Sequence, residues 1–172
     1  LSTKMAEEKI DLASVEIVPL SSKQMLRRAF SSFNDPKFQH LITWLKTIAW
    51  YSQQGKVSKT YLATYQNEKI GYITILSGVL KREVEGLHSP NDSQALLIGK
   101  LYVSPEYRRS GIGKKLLSFV LGMAASLDEM IGCSGLMVDS NSDVNTVRFY
   151  KNFGFEEIAK EKDDGEETVK MF

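Results

Sequence analysis

The stretch from Ala95 to Ala124 limits the fold more than any other part of the chain. Ala95 to Val103 is a mostly apolar run of strand length, read as a strand buried on both faces. Ser104-Pro105-Glu106-Tyr107 ends it, and Arg108-Arg109-Ser110-Gly111-Ile112-Gly113-Lys114-Lys115 follows. From Ile112 onward, Leu116, Val120 and Ala124 recur at helical spacing. Gly135-Leu136-Met137-Val138 is the next strand. A strand, a helix and a strand in this order call for two parallel strands joined across the helix.

The flanking segments add antiparallel pieces. Val15-Glu16-Ile17-Val18 alternates and stops at Pro19. Ser21 or Ser22 caps a helix expected to run through Met25, Leu26 and Phe30. Asp35 as cap and Pro36 at the first position open a second helix, with Phe38, Leu41, Ile42, Leu45, Ile48 and Ala49 on its core face. Trp44 lies off the centre of that stripe, and Trp50 and Tyr51 lie near the helix end, available for packing, a cleft or a partner surface. Thr60 to Tyr65 and Ile70 to Leu76 form a hairpin around Asn67-Glu68-Lys69. The polar, glycine-broken stretch from Ser77 to Ser93 reads as a long loop. Asn145 to Asn152 forms a helix stopped at Gly154, and Phe155 to Lys162 with Thr168 to Phe172 closes the chain as a hairpin around Asp164-Gly165. The sum is an α/β domain with a mixed sheet over residues 15–172, preceded by an N-terminal extension over 1–14.

Composition removes several classes. With 42% hydrophobic and 25% charged residues, the 172-residue chain has the balance of one soluble globule. Its 22 basic and 21 acidic residues leave a net charge of +1, which argues against a grip on nucleic acid through overall charge. Cys133 is the single cysteine, so no internal disulfide forms and a cytoplasmic setting is expected. His40 and His88 are the only histidines, so no Cys/His cluster offers a structural zinc site and no metal is expected. The longest apolar runs, such as Leu96-Leu97-Ile98, fall far short of a membrane span. Leu1 to Asp11 is charged, lacks the apolar core of a signal peptide, and contains Met5 as a plausible native start.

Chemistry concentrates at the junction of strand and helix. A helix start carries free N–H groups and partial positive charge, and so attracts an anion. Gly111 and Gly113 let a phosphate approach the backbone, and Arg108, Arg109, Lys114 and Lys115 add charge nearby. A diphosphate ligand follows. Two familiar motifs fail: Arg108 stands where a Walker loop needs its first glycine, and Leu116 where the dinucleotide fingerprint needs its third.

Arg108-Arg109-Ser110-Gly111-Ile112-Gly113 resembles the acyl-CoA pyrophosphate loop of the GNAT family of N-acetyltransferases, written Gln/Arg-x-x-Gly-x-Gly/Ala. Leu101 to Tyr107 is similar to that family's preceding strand and turn, and Phe149-Tyr150-Lys151-Asn152-Phe153-Gly154-Phe155 to its Phe-Tyr-x-x-x-Gly-Phe signature. The element order agrees from Val15 to Phe172.

The resemblance implies a mostly antiparallel mixed sheet whose central parallel pair splays apart, flanked by about four helices. It implies acetyl-CoA as co-substrate and an amine as acceptor. The pantetheine arm pairs with the backbone of Leu101, Tyr102 and Val103, and the loop of Arg108, Arg109, Ser110, Gly111, Ile112, Gly113 and Lys114 holds the pyrophosphate. A backbone N–H near Val103 polarises the thioester carbonyl. Tyr150 matches the tyrosine that protonates the departing thiolate; a phenol with pKa near ~10 carries its proton at neutral pH. The alternative for Tyr150 is a packed helix tyrosine.

Two departures stand out. The family's pantetheine-bonding Asn is replaced by Asp143, with Asn141 and Asn145 on either side as substitute donors or as helix caps. The strand before the loop lacks the Glu that serves some members as base, leaving Glu83, Glu85, His88, Asp92 or a water. Shorter pieces, including Ala29-Phe30-Ser31-Ser32, Trp44-Leu45-Lys46 and Gly71 to Gly78, are similar to the bacterial toxin branch, which acetylates the amino acid of charged tRNA and is neutralised by an antitoxin. A small-molecule amine, a protein amine and a charged tRNA all stay open as acceptors, as does a silent domain that senses acyl-CoA. A homodimer through the Trp44/Trp50 region or the last hairpin is open by the same analogy.

Overall fold

The computed structural model describes residues 10–27, 29–30, 35–81, 92–163 and 166–172. Among these residues seven strands form one sheet: β1 (Glu16–Pro19), β2 (Lys59–Tyr65), β3 (Glu68–Leu80), β4 (Ser93–Val103), β5 (Leu136–Asn141), β6 (Glu157–Asp163) and β7 (Glu166–Met171). Their order is β1-β2-β3-β4-β5-β7-β6. Every pairing is antiparallel except β4 with β5, which are joined by the helix predicted to cross between them. Among the described residues, four α-helices accompany the sheet: α1 (Gln39–Thr47), α2 (Ala49–Gln54), α3 (Ile112–Ile131) and α4 (Val144–Phe153). The mixed α/β architecture expected from the sequence is the one observed.

Alternation along the strands sends neighbouring side chains to opposite faces. Tyr72 and Tyr102 join Leu20, Phe30, Ile42, Leu45 and Leu62 in the core under α1 and α2. Ile73 and Val138 join Leu116, Leu117, Val120 and Tyr150 in the core under α3 and α4, with Leu101 and Val103 packed against it. Burying a leucine as completely as Leu45 or Leu117 contributes roughly 1.5–3 kcal/mol.

Four local expectations change. The helix expected through Phe30 is a single 3-10 turn, Lys23–Leu26, because Arg27 is already extended and Phe30 adopts a left-handed φ of 53°. Ser22 makes no side-chain cap bond. The second helix begins as a 3-10 turn, Pro36–Phe38, and breaks at Ile48 (φ −114°) into α1 and α2. Asp35 does not cap it; its carboxylate is buried and bonded elsewhere. The loop expected from Ser77 is shorter, because β3 continues to Leu80 paired with Ser93. On β4, Gly99 is exposed and Leu97 and Lys100 are half-buried, so that strand is not sealed on both faces. The turn at 164–165 lies outside the described residues. From the expected extension, Leu12–Ser14 forms a 3-10 turn capped by Asp11, and Ile10 packs on the core.

Candidate active site

The parallel ladder between β4 and β5 holds for three pairs, Leu96 with Leu136, Leu97 with Met137 and Ile98 with Val138, and then stops. At the same level the register with β3 slips, pairing Ile98 with Ile75 and Lys100 with Thr74, so Gly99 has no partner. Such an extra residue bends its strand. A Cβ at position 99 would meet the Leu76 side chain at 3.0 Å. Among the described residues, beyond the bulge β5 pairs only with β7, and β4 pairs only with β3. The β5-facing edge of Leu101, Tyr102 and Val103 therefore has no strand beside it and is open to an extended ligand, which can bond to it as an added strand would, although the Val103 carbonyl also accepts from Arg108 Nε.

The open edge leads into the loop. Arg108 donates its N–H to Pro105 and Lys115 to Gly111. Among the described residues, the N–H groups from Arg109 to Lys114 between them meet no acceptor. Arg109 (φ 62°) and Gly111 (φ 93°) are both left-handed. At Gly111 a Cβ would lie 2.9 Å from Leu12, so this glycine is required twice over. Ser110 Oγ donates to the Tyr107 carbonyl at 2.5 Å. Lys115 does not face a ligand: its Nζ donates to the carbonyls of Leu12 (2.5 Å) and Val15 (2.6 Å). Lys114 and Arg109 are exposed.

The two sequence motifs meet in space. A Cβ on Gly113 would stand 3.0 Å from Phe149 Cζ, so the start of α3 lies directly against α4. This contact sets the position of Tyr150 beside it. Tyr150 is 5% exposed, edge-on to Phe149 (5.2 Å between ring centres) and Phe155 (5.4 Å). Gly154, left-handed at φ 118°, ends α4 and turns Phe155 back onto Tyr150. Burial pushes the Tyr150 phenol well above its ordinary pKa, so it stays protonated throughout the physiological range. Its hydroxyl has no hydrogen bond among the described residues, and it is not among the buried orphaned atoms, so it is free to meet a ligand.

The question left at 141–145 resolves toward Asp143 as the cap. Asp143 accepts from Thr146 N (3.1 Å) and Oγ1 (3.0 Å) and pairs with Lys37 (3.2 Å). Those bonds, the Thr146 N–H first, hold its carboxyl below the usual range. Asn141 accepts from Asp143 N at 2.6 Å, and Asn145 is exposed on the first turn of α4, so neither caps that helix. Of the candidate bases, Glu83, Glu85 and His88 lie outside the described residues. Asp92 precedes β4, which at ~3.4 Å per residue puts it on the order of 30 Å along the strand from Leu101 to Val103.

Sequence reasoning missed a buried polar group on the α1 side of the same strand end. Asp35 is 5% exposed and ion-pairs with Arg108. Arg108 Nε also donates to the Val103 carbonyl at 2.9 Å. Tyr102 Oη and Ser104 Oγ are buried beside Asp35 without a well-formed hydrogen bond. Burial first, then the Asp35 charge, raises the Tyr102 phenol. Only a tertiary contact 73 residues apart in sequence reveals this group. No group of three or more metal-ligating side chains occurs among the described residues, and no helix among them is long and apolar enough to cross a membrane.

Comparison with known proteins bears on these features. A family model described as an acetyltransferase (GNAT) domain matches residues 56–157, more than half of the chain. No curated protein matches by sequence. Among solved structures, a tyrosine-to-phenylalanine mutant of KacT superposes with a TM-score of 0.73 at 16% identity, over 91% of this chain and 94% of that one. A corresponding mutant of the AtaT toxin, bound to the C-terminus of the antitoxin AtaR and to acetyl-CoA, gives 0.69 at 19% identity over 92% of each chain. AtaT complexed with acetyl-methionyl-tRNAfMet gives 0.70 at 16% identity, over 90% of this chain and 93% of that one. At these identities the likeness is one of fold.

Proposed function

The chain belongs to the GNAT family of acetyltransferases, and from that premise we propose that it moves an acetyl group from acetyl-CoA to a primary amine by direct transfer in a ternary complex. It is an acyltransferase with acetyl-CoA as co-substrate. One observation carries the mechanism: the open edge of β4, the row of free N–H groups and the buried Tyr150 converge through the contact of Gly113 with Phe149.

In this reading the backbone of Leu101, Tyr102 and Val103 bonds the pantetheine arm. The free N–H groups from Arg109 through Ser110, Gly111, Ile112 and Gly113 to Lys114 hold the pyrophosphate. Asn141 and Asn145, at the facing end of β5 and the start of α4, are the side chains available to the arm from the other side. The acceptor nitrogen attacks the thioester carbonyl, whose developing charge is met by backbone N–H at Val103. The C–N bond forms, the C–S bond breaks, and Tyr150 Oη supplies a proton to the leaving sulfur. Tyr150→Phe should leave coenzyme A affinity, read by calorimetry, within about twofold, while thiol release with the best acceptor of an amine panel falls ~10²–10⁴-fold. Unchanged turnover removes Tyr150 from the chemistry. Binding without turnover in the unmodified chain points instead to an acyl-CoA sensor.

A charged tRNA is the second reading for the acceptor. The toxin neighbours match over at least nine-tenths of both chains, and one is complexed with acetyl-methionyl-tRNAfMet. β4 carries no carboxylate to act as base; an α-amino group with pKa near ~8 needs less help than a lysine near ~10.4. Growth arrest on expression and acetyl transfer to methionyl-tRNA test it, and absence of both removes it. The lone, half-buried Cys133 supports a cytoplasmic setting. Exposed Ile48, Tyr51 and Val57 support the α2 side as a homodimer face, checked by sedimentation.

A further inference from the structure

We propose that Arg108 is a positioning residue that braces the end of β4, with Asp35 as its anchor, rather than a ligand of the pyrophosphate. The inference rests on the acetyltransferase reading and assigns to one residue of that site a different task.

The Val103–Ser104 peptide is held from both sides. Its carbonyl accepts from Arg108 Nε at 2.9 Å, and its N–H donates to the Ile70 carbonyl at 2.8 Å. The Arg108 guanidinium cannot swing freely, because Nη2 is bonded to the buried Asp35 carboxylate. It also lies over two rings, 4.8 Å from the centre of Phe38 and 5.7 Å from that of Tyr102. A fork held by a carbonyl, a carboxylate and two aromatic faces is fixed in plane, which a compact ammonium would not be. What it fixes is the last residue of the open strand, where the thioester carbonyl must be aligned. Small misplacements at such a site cost much rate. The phosphate needs no help from this side chain, since the N–H groups from Arg109 to Lys114 are free. Asp35 stands just before the Pro36–Phe38 turn that leads into α1, so the brace ties the α1 face to the strand that meets the cofactor.

The test separates affinity from rate. Arg108→Gln, Arg108→Lys and Asp35→Asn are assayed for coenzyme A binding by calorimetry and for thiol release from acetyl-CoA with the best amine of the panel. A brace predicts that all three keep the dissociation constant for coenzyme A within about threefold while kcat falls tenfold or more. Lysine should not rescue, and Asp35→Asn combined with Arg108→Gln should be no worse than either alone. A phosphate contact predicts the reverse: Arg108→Gln weakens coenzyme A tenfold or more, Arg108→Lys restores it, and Asp35→Asn is silent. That pattern, or unchanged kcat in all three, overturns the proposal. If Arg108→Gln fails to fold, Asp35→Asn and Arg108→Lys decide. Absence of coenzyme A binding by the unmodified chain is a separate result that defeats the acetyltransferase reading itself.

Discussion

Gly111 shows how closely one residue can be specified. Its φ of 93° lies where a side chain crowds the following carbonyl, and the direction of its missing Cβ is taken by Leu12 at 2.9 Å. Gly111→Ala should therefore destabilise the chain by about 1–2 kcal/mol from the left-handed backbone alone, with the Leu12 contact adding to it. Denaturant unfolding measures the loss, and a variant as stable as the parent would contradict the placement of this turn. Coenzyme A affinity should fall as well, because the strain is applied where the free N–H groups are aligned. Gly113 differs: its backbone is ordinary helix, and only the close approach of Phe149 calls for a small residue. Both glycines stand out in the sequence as a Gly-x-Gly turn at a helix start. Their packing partners do not, since Leu12 and Phe149 are distant along the chain.

Among the elements, α4 carries Tyr150 and depends on its first turn. Asp143 caps that turn through Thr146 and reaches Lys37 in the segment before α1. Because these bonds lower its folded pKa, their contribution is present above the ordinary carboxylate range and is lost as pH falls through the depressed value. Melting followed by circular dichroism should thus show a step of acid destabilisation below about pH 4 that Asp143→Asn removes while keeping the cap at neutral pH. Asp143→Ala should be less stable than Asp143→Asn at neutral pH, and equal stability would show that the cap is not used. Long periodic elements such as α3 were readable because their apolar spacing is local and repeated. The short helix before Phe30 was not: a left-handed Phe30 packed under α1 and an extended Arg27 override a pattern that is helical only in outline. The break at Ile48 leaves no mark in the sequence, because the apolar stripe runs on across it.

The arrangement of the sheet decides what the chain as one body can do. Three parallel pairs hold β4 and β5 together at one end, and the Gly99 bulge parts them at the other. The core under α3 and α4 brings Tyr150 to one face of that gap, and the core under α1 and α2 brings Asp35 and Tyr102 to the other. Under the proposed mechanism, a thioester lying in the gap would have the Tyr150 phenol on one side and the Asp35–Tyr102 group on the other. The two hairpins and the single parallel crossover were legible from turn signals and the strand–helix–strand pattern, whereas the placing of β7 rather than β6 beside β5 was not. The ion pair that ties the segment before α1 to the end of β4 was not, because Asp-Pro reads equally well as a helix start. A ligand that spans this gap binds only the folded chain, so it must raise the melting temperature by mass action. At a hundred times its dissociation constant, acetyl-CoA should add about 2.7 kcal/mol, or roughly 5–10 °C for a chain of this size. Acetyl-pantetheine, which lacks the pyrophosphate, should give a much smaller shift at equal concentration. Equal shifts with both would mean that the free N–H groups between Arg109 and Lys114 are not where the affinity resides.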